Sequence, residues 1–552
     1  MEEEAKLLTG KRLAAIALVI VIIIAGVAVY WYYYLAPTPA VEGVSVSISP
    51  SEVEPDENVI ASGSTDPAIV NTNVTLTYTK PDGSTFNRTV TTDSDGEFTD
   101  TFSSDVTGKW TVMASIEDKT STVRTFYIFV TPPIKIGAIG PMSYIQGIGI
   151  DEGVRMAAEE VNDAGGVLGR KLVVVTEDET TDLAQGRANM EKLITIDKAD
   201  FVIGGFRSEI VFPMRDETVK HKKIFIMTGS ATNELLNCFG SLTMQTPCGK
   251  CVLCDYDNYK YVFRAMPLNT TALFSFTLVP FLRYHFFPNY FDYTAENKVR
   301  VACVVENVVA WDLLWAYIEN IPNVITGANG TIVYKSRPSP METDFSAILS
   351  DIEDAEAQVI MHVFSAEAGL SFIEQWGTRQ TPAIPIGINV LAQEADHWDN
   401  TGGYCEYETL LSTPPRIPLT NTTLQFYDTY IERWGHDPIY TAGGSYTAVM
   451  ILAEAIERAG TIDSDAVVVE LEKTDYMTTI GRFKFDRYHD VWAPVPYKKG
   501  FQYFEWKNST ELGYPNTWVM PMLIQWIDDE RVPVYPFGFS WTQELQLPHW
   551  MS

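Results

Sequence analysis

From Ile134 onward the chain alternates short apolar runs with amphipathic stretches, and this alternation constrains its fold more than any other feature. Segments 134–139, 172–176, 201–204 and 224–228 read as strands, and 150–164, 182–197 and 208–221 read as helices. Strands that are apolar throughout must be covered on both faces. With helices between them, they predict a parallel, doubly wound α/β sheet. A second series starts near Val299, with strands at 299–305, 331–334 and 358–364 and helices at 312–320, 345–355 and 366–377. It predicts a second lobe of the same class. Helices at 446–459 and 463–473 return the chain to the first lobe, and 501–506 and 519–526 read as further strands. The expected partition is about 134–264 with 415–480 for the first lobe, and 265–414 with 481–552 for the second.

The chain upstream has a different period. Between Val44 and Thr131 short alternating strands such as Val44 to Ile48 and Val74 to Tyr78 are separated by turn signals at Pro81-Asp-Gly83 and Asp93-Ser-Asp-Gly96. Such strands at close spacing predict an all-β, immunoglobulin-like sandwich over 44–131. It carries no cluster of acids, bases or metal ligands and reads as a stalk, joined through a linker at 36–43. Segment 13–35 contains no charged residue and as a helix reaches about 35 Å, enough to cross a bilayer. Lys6, Lys11 and Arg12 precede it, and Tyr30, Trp31, Tyr32, Tyr33 and Tyr34 form an aromatic belt at its far end, so residues 1–12 are expected in the cytoplasm and the rest outside. A cleaved signal peptide is the rival. The apolar stretch is longer than a usual signal core, and no small-x-small site follows the aromatics.

A formal charge of −31 over 552 residues argues against nucleic acid as a partner. Six Asn-x-Ser/Thr acceptors, at Asn73, Asn87, Asn269, Asn329, Asn421 and Asn508, all lie on the expected outer side, which is compatible with a glycoprotein. Cys238, Cys248, Cys251 and Cys254 crowd one loop. Their spacing permits zinc, but outside a cell disulfides persist, so two bridges and no metal are expected. Cys303 lies in an apolar strand, and Cys405 is its one remaining partner.

In an open parallel sheet, ligands sit beyond the carboxyl ends of the strands. Here those ends are the loops at 140–149, 177–182, 204–208 and 228–232. Ser208 and Thr232 stand at helix starts, where unpaired amides and the helix dipole favour an anion; both are also ordinary capping residues. The stretches "IKIGAIGPMSYIQGIGIDEGVRMAAEEVNDAGGVLGRKLVVVTEDETTD", "FVIGGFRSE", "KIFIMTGSATNEL" and "SYTAVMILAEAIERAG" resemble the type I periplasmic solute-binding proteins of the leucine/isoleucine/valine and amide-binding group. The resemblance covers most of 134–552. It implies a two-lobed binding component that closes around an amino acid, amide or related carboxylate and serves an ABC permease in the same membrane. By motif, Ser208, Ser230 and Thr232 fall on the group's carboxylate contacts, and Tyr144, Trp311 and Phe364 fall where pocket aromatics lie. Asn389 stands where amino-acid binders carry an acid for the ligand's ammonium. Two ligand readings stay open: an amino acid read by Glu367 or Glu394, or a neutral amide or carboxylate read by Asn389.

A nucleotide-dependent oxidoreductase is the enzymatic rival. Its G-x-G-x-x-G turn is missing at Gly140-Pro141-Met142, and no G-x-S-x-G, H-E-x-x-H or P-loop occurs. Seven scattered His form no catalytic set, so neither catalysis nor a cofactor is expected. A sensing receptor is the third class; the short cytoplasmic segment would require a signalling partner.

Overall fold

The computed structural model describes residues 2–30, 40–237, 250–266, 269–294, 296–327, 329–412, 415–491, 519, 522–536 and 540–551. It divides into two compact units, Met1–Phe129 and Val130–Ser552. The first begins with a helix, α1 (Glu2–Tyr30), whose window Leu13–Tyr30 is long and apolar enough to cross a membrane. The helix starts well before the apolar run: Glu2 to Arg12 contains no proline, and its single glycine, Gly10, does not interrupt the helix.

Residues 43–128 of this unit form two β-sheets. Strands Gly43–Val44, Ser47–Ser49 and Glu97–Phe102 pair with Val59–Asp66 in one, and strands Asn73–Thr79, Gly108–Ile116 and Arg124–Ile128 form the centre of the other. Burial alternates residue by residue along Asn73–Thr79 and Gly108–Ile116, as two-fold side-chain periodicity requires. One hydrophobic cluster draws on both sheets, with Trp110 stacked on Phe126 at 6.0 Å. The buried Tyr78 hydroxyl donates to Asp100 at 2.8 Å, and Arg88 pairs with the same carboxylate at 3.0 Å.

The second unit holds the two predicted lobes. In the first, β1 (Val130–Gly140), β2 (Arg170–Asp178), β3 (Phe201–Gly204), β4 (Ile224–Met227) and β5 (Val262–Arg264) form a parallel sheet in the order β2-β1-β3-β4-β5. Three helices connect its first four strands: α2 (Ile145–Ala164), α3 (Leu183–Thr195) and α4 (Ser208–Lys220). Every residue of β3 and β4 is buried, which explains why neither strand alternates in sequence. Val154, Ala157, Ala158 and Val161 are buried in α2.

In the second lobe, β6 (Val299–Val305), β7 (Gly330–Ser336), β8 (Val359–Phe364), β9 (Ile384–Asn389) and β10 (Thr409–Ser412) run parallel. Helices α5 (Asp312–Asn320), α6 (Ser346–Asp354) and α7 (Ala368–Arg379) lie between its strands in sequence. The chain then leaves for the first lobe through α8 (Thr423–Trp434), α9 (Tyr440–Ala459), α10 (Ser464–Leu471) and the hairpin β11 (Asp475–Thr478) to β12 (Gly481–Lys484). It returns as β13 (Met522–Ile527) and β14 (Glu530–Tyr535), both antiparallel to their neighbours. The expectation of two purely parallel sheets therefore needs correction: the second sheet is mixed. β10 ends on the side facing the first lobe, and a chain coming back from that lobe enters beside this end. It can then only run antiparallel, with Met522 opposite Ser412.

The return through the first lobe also extends beyond residue 480. The Arg264 amide donates to the His489 carbonyl at 2.9 Å, and the fully buried Arg264 guanidinium lies 3.5 Å from Asp490. The expected strand at 501–506, Asn508, Cys238 and Cys248 lie outside the described residues. Cys251 is buried, and its thiol is pushed up to about 11 chiefly by that burial; Cys254 is exposed. Cys303 and Cys405 are buried thiols not bridged to one another, and burial pushes the Cys303 thiol up to about 12.

Helices α2 and α9 join the two ends of the first lobe, and glycines let them approach closely. A Cβ on Gly153 would lie 2.3 Å from the Ala442 carbonyl oxygen, and one on Gly149 would lie 2.8 Å from Thr441 Oγ1. Gly153→Ala gains about 1 kcal/mol of helix propensity but must push backbone apart, at a cost of about 1–3 kcal/mol. The clash wins because the obstacle is main chain. Gly153→Ala is expected to lower the urea midpoint; a midpoint raised by the propensity gain would show the seam to be looser than described.

Candidate functional site

The ends of β2, β3 and β4 converge on one point. At the end of β3, Gly204 and Gly205 take φ of 128° and 80°, a region other residues rarely enter; a side chain on Gly204 would strike the Ile139 carbonyl. This turn delivers the amides of Phe206 and Arg207 to the fully buried Glu179, which accepts one on each carboxylate oxygen at 2.7 Å. Burial pushes the Glu179 carboxyl up to about 8 against those two bonds. Glu179 thus fixes the residues that open α4, and Ser208 follows as its first residue.

Ser208 Oγ lies 2.9 Å from the Oγ of the buried Ser230. The Tyr440 hydroxyl donates to the Gly229 carbonyl at 3.0 Å. Arg264 holds the next stretch by donating to the carbonyls of Ala231, at 3.1 Å, and Thr232. Thr232 caps a short turn, Asn233–Leu235, without a side-chain bond.

Across from this loop cluster lies the second lobe. A cavity of about 100 Å³ separates the two, walled on one side by Arg207, Ser208 and Glu209 and on the other by Glu306, Val308 and Trp311. Met266, Leu273, Ile388, Val390 and Leu411 make the wall largely apolar. Glu306 follows the last residue of β6 and is fully buried; its Oε2 accepts from the Ser365 amide at 2.7 Å and the Ser365 hydroxyl at 2.5 Å. The lobes touch beside it, where Gln146 of α2 donates to the Ser365 carbonyl at 3.4 Å.

Residues 133–495 match the family model described as periplasmic binding protein. The chain belongs to that family, as a type I member of the leucine/isoleucine/valine-binding group. It is 22% identical over 387 residues to Leu/Ile/Val-binding protein homolog 3 of Brucella melitensis, covering 69% of this chain and 93% of the relative. Among solved structures it resembles the branched-chain amino acid transporter substrate binding protein LivJ of Streptococcus pneumoniae in complex with isoleucine. The TM-score is 0.54 at 18% identity, covering 65% of this chain and 94% of that one. A solute binding protein of an ABC transporter from Rhodopseudomonas palustris, in complex with 3,4-dihydroxy benzoic acid, gives 0.53 at 18% identity, covering 65% and 90%. At such identities the structural likeness concerns the fold. Family members of this kind are substrate-binding proteins rather than enzymes.

The residues singled out from sequence take different places. Ser208 and Trp311 line the cavity. Ser230 stands behind Ser208 and contacts its hydroxyl. Tyr144 precedes α2 with the Arg207 guanidinium 5.7 Å over its ring. Phe364 packs in the second lobe's core against Phe345 and Phe372. Thr232, Asn389, Glu367 and Glu394 are not in the cavity wall. Asn389 is fully buried and donates to Glu408 at 2.9 Å.

Glu408 is the centre of a buried polar cluster, with His397 Nε2 at 2.8 Å and His362 Nε2 at 3.3 Å. Burial opposes its charge, but the neighbouring imidazoles, His397 foremost, outweigh it and hold the carboxyl down at about 2. A depressed carboxyl contributes stability that is complete above its ordinary value of 4.5 and is lost as pH falls through 2. At neutral pH, Glu408→Gln is expected to cost about 1–3 kcal/mol, the range for leaving buried hydrogen-bonding groups unsatisfied. In urea denaturation the gap to wild type should narrow as pH drops from 4.5 toward 2; a pH-independent gap would mean that packing, not charge, sets the loss.

Proposed function

We propose that this chain is the solute-capturing component of an ABC importer, held at the outer face of a membrane by α1. Its two lobes would close on a small apolar amino acid or a related carboxylate. The observation that carries this reading is the largely apolar cavity between the lobes, with Ser208 and the start of α4 in its wall. A carboxylate placed there meets a hydroxyl, the unpaired amides of the first helical turn and the positive end of the helix dipole. The relative named as a Leu/Ile/Val-binding protein and the isoleucine complex with the same fold support the amino-acid class. The two-sheet unit at 43–128 serves as an immunoglobulin-like spacer, its alternating strands offering no site of their own.

Full-length protein in detergent, titrated with L-leucine, L-valine, L-phenylalanine and benzoate, is expected to show thermal stabilisation by at least one of them. Ser208→Ala should weaken that ligand by about ten- to a hundredfold, since a hydrogen bond to a charged group is worth about 1.5–3 kcal/mol. No shift with any probe, or unchanged affinity in Ser208→Ala, would defeat this assignment.

The membrane placement follows from Lys6, Lys11 and Arg12 ahead of the apolar window. Protease added to intact cells is expected to release a large soluble fragment. Protection in intact but not in lysed cells would reverse the orientation.

A further inference from the structure

The antiparallel edge of the second sheet carries an arginine across to the first lobe. Arg531, in β14, holds its guanidinium 5.8 Å over the Trp526 ring of the neighbouring β13 and donates from one terminal nitrogen to the Gln393 carbonyl, both within the second lobe. Its other terminal nitrogen donates to the carboxylate of Asp437. Asp437 belongs to the first lobe. It lies between α8 and α9, and the residues just before it are tied to α2, Arg433 to Glu159 at 2.6 Å and His436 to Glu152 at 3.3 Å. The two side chains of the pair are only 13% and 16% exposed, so water and salt screen this pair less than an ion pair on the open surface.

The same junction holds a second bond between the lobes. Gln393 Oε1 accepts from the amide of Tyr440, the first residue of α9, at 3.4 Å, and the Tyr440 hydroxyl reaches on to the Gly229 carbonyl. Gln393 and Tyr440 stand in the cavity wall, whereas Arg531 and Asp437 do not. Parting the lobes breaks the ion pair and the Gln393 bond, but leaves Arg531 on Trp526 and on the Gln393 carbonyl. Arg531 is therefore held in place before Asp437 meets it, and little side-chain freedom is lost on contact. The contact of Gln146 with the Ser365 carbonyl, also between lobes, is neutral and 3.4 Å long. A charge-assisted bond is roughly twice as strong as a neutral one, so the arginine dominates the junction.

We propose that Arg531 and Asp437 form a latch that holds the two lobes together, so that a pair outside the cavity sets the affinity for whatever solute the cavity takes. This rests on reading the cavity as the solute site and adds the element that controls its closure. Apparent affinity is the intrinsic affinity multiplied by the fraction of protein in the closed state. A residue that acts on that fraction alone weakens every ligand by one factor and leaves their ranking unchanged. Arg531 and Asp437 are thus positioning residues.

The test compares Arg531→Met, Asp437→Asn and the double variant with wild type, each as full-length protein in detergent. Without ligand, amide hydrogen exchange over 391–396 and 436–441 is expected to run about threefold or more faster in either single variant, while exchange in β1 and β8 is unchanged. In titrations with L-leucine, L-valine, L-phenylalanine and benzoate, each probe that binds wild type should bind either single variant about fivefold or more weakly, by one common factor. The double variant should lose no more than the singles, because both remove the same contact. Arg531→Lys, which keeps the charge but not the forked geometry, should fall in between. A loss confined to one probe, or losses that multiply in the double variant, would overturn the latch. Faster exchange in Arg531→Met with none in Asp437→Asn would overturn it too, since that is the result for a residue bracing only its own lobe. Binding of no probe would remove the solute-site reading, and the exchange measurement would then decide the latch by itself.

Discussion

The close contact of α2 with α9 is the constraint around which the binding module is arranged. The two helices are separated by more than half of the module in sequence, yet Gly149 and Gly153 bring one against the backbone of the other. Joining the first lobe from both ends makes the second lobe an insertion within it. The chain must therefore cross between the lobes repeatedly, and it leaves the second sheet at the end of β10 and re-enters beside that end at β13. The reversal of β13 follows directly from this routing. So does the place of the cavity, because parallel strands whose ends face one another leave their loops, caps and unpaired amides at a common crevice.

Much of this architecture was legible in the sequence because burial on both faces writes a plain signal. β3 and β4 are buried throughout and read as uninterrupted apolar runs, while α2 shows its buried face at helical spacing. The antiparallel edge was not legible, since strand direction depends on where the chain has been and not on the composition of the strand. The first-lobe loops were readable for a related reason: Ser208 and Thr232 are residue types with a local role at a helix start.

The second-lobe wall was harder. Trp311 lines the cavity, but Phe364 sits in the core and Asn389 faces Glu408. An aromatic or an amide at a strand end has the same local signature whether it points to a crevice or into a core. Glu179 and Glu306 are both fully buried acids, a costly setting for a charge, and of the two only Glu306 directly follows an apolar strand end. That mismatch between residue and setting was the available clue. Glu179 answers it with two amides, whereas Glu306 answers only half of it within the protein.

The cluster around Glu408 has a different kind of consequence, one that concerns how this sequence can change over time. Glu408, His362, His397 and Asn389 share one buried space, so each residue's tolerance depends on the others. Loss of the acid alone strands two imidazoles and an amide, whereas exchanging the whole set for apolar groups of matching volume is often neutral or favourable. The route from one filling to the other passes through less stable intermediates. Drift at these four positions is therefore expected to be abrupt and concerted, and a lone substitution at any one of them marks a lineage that has acquired compensating stability elsewhere.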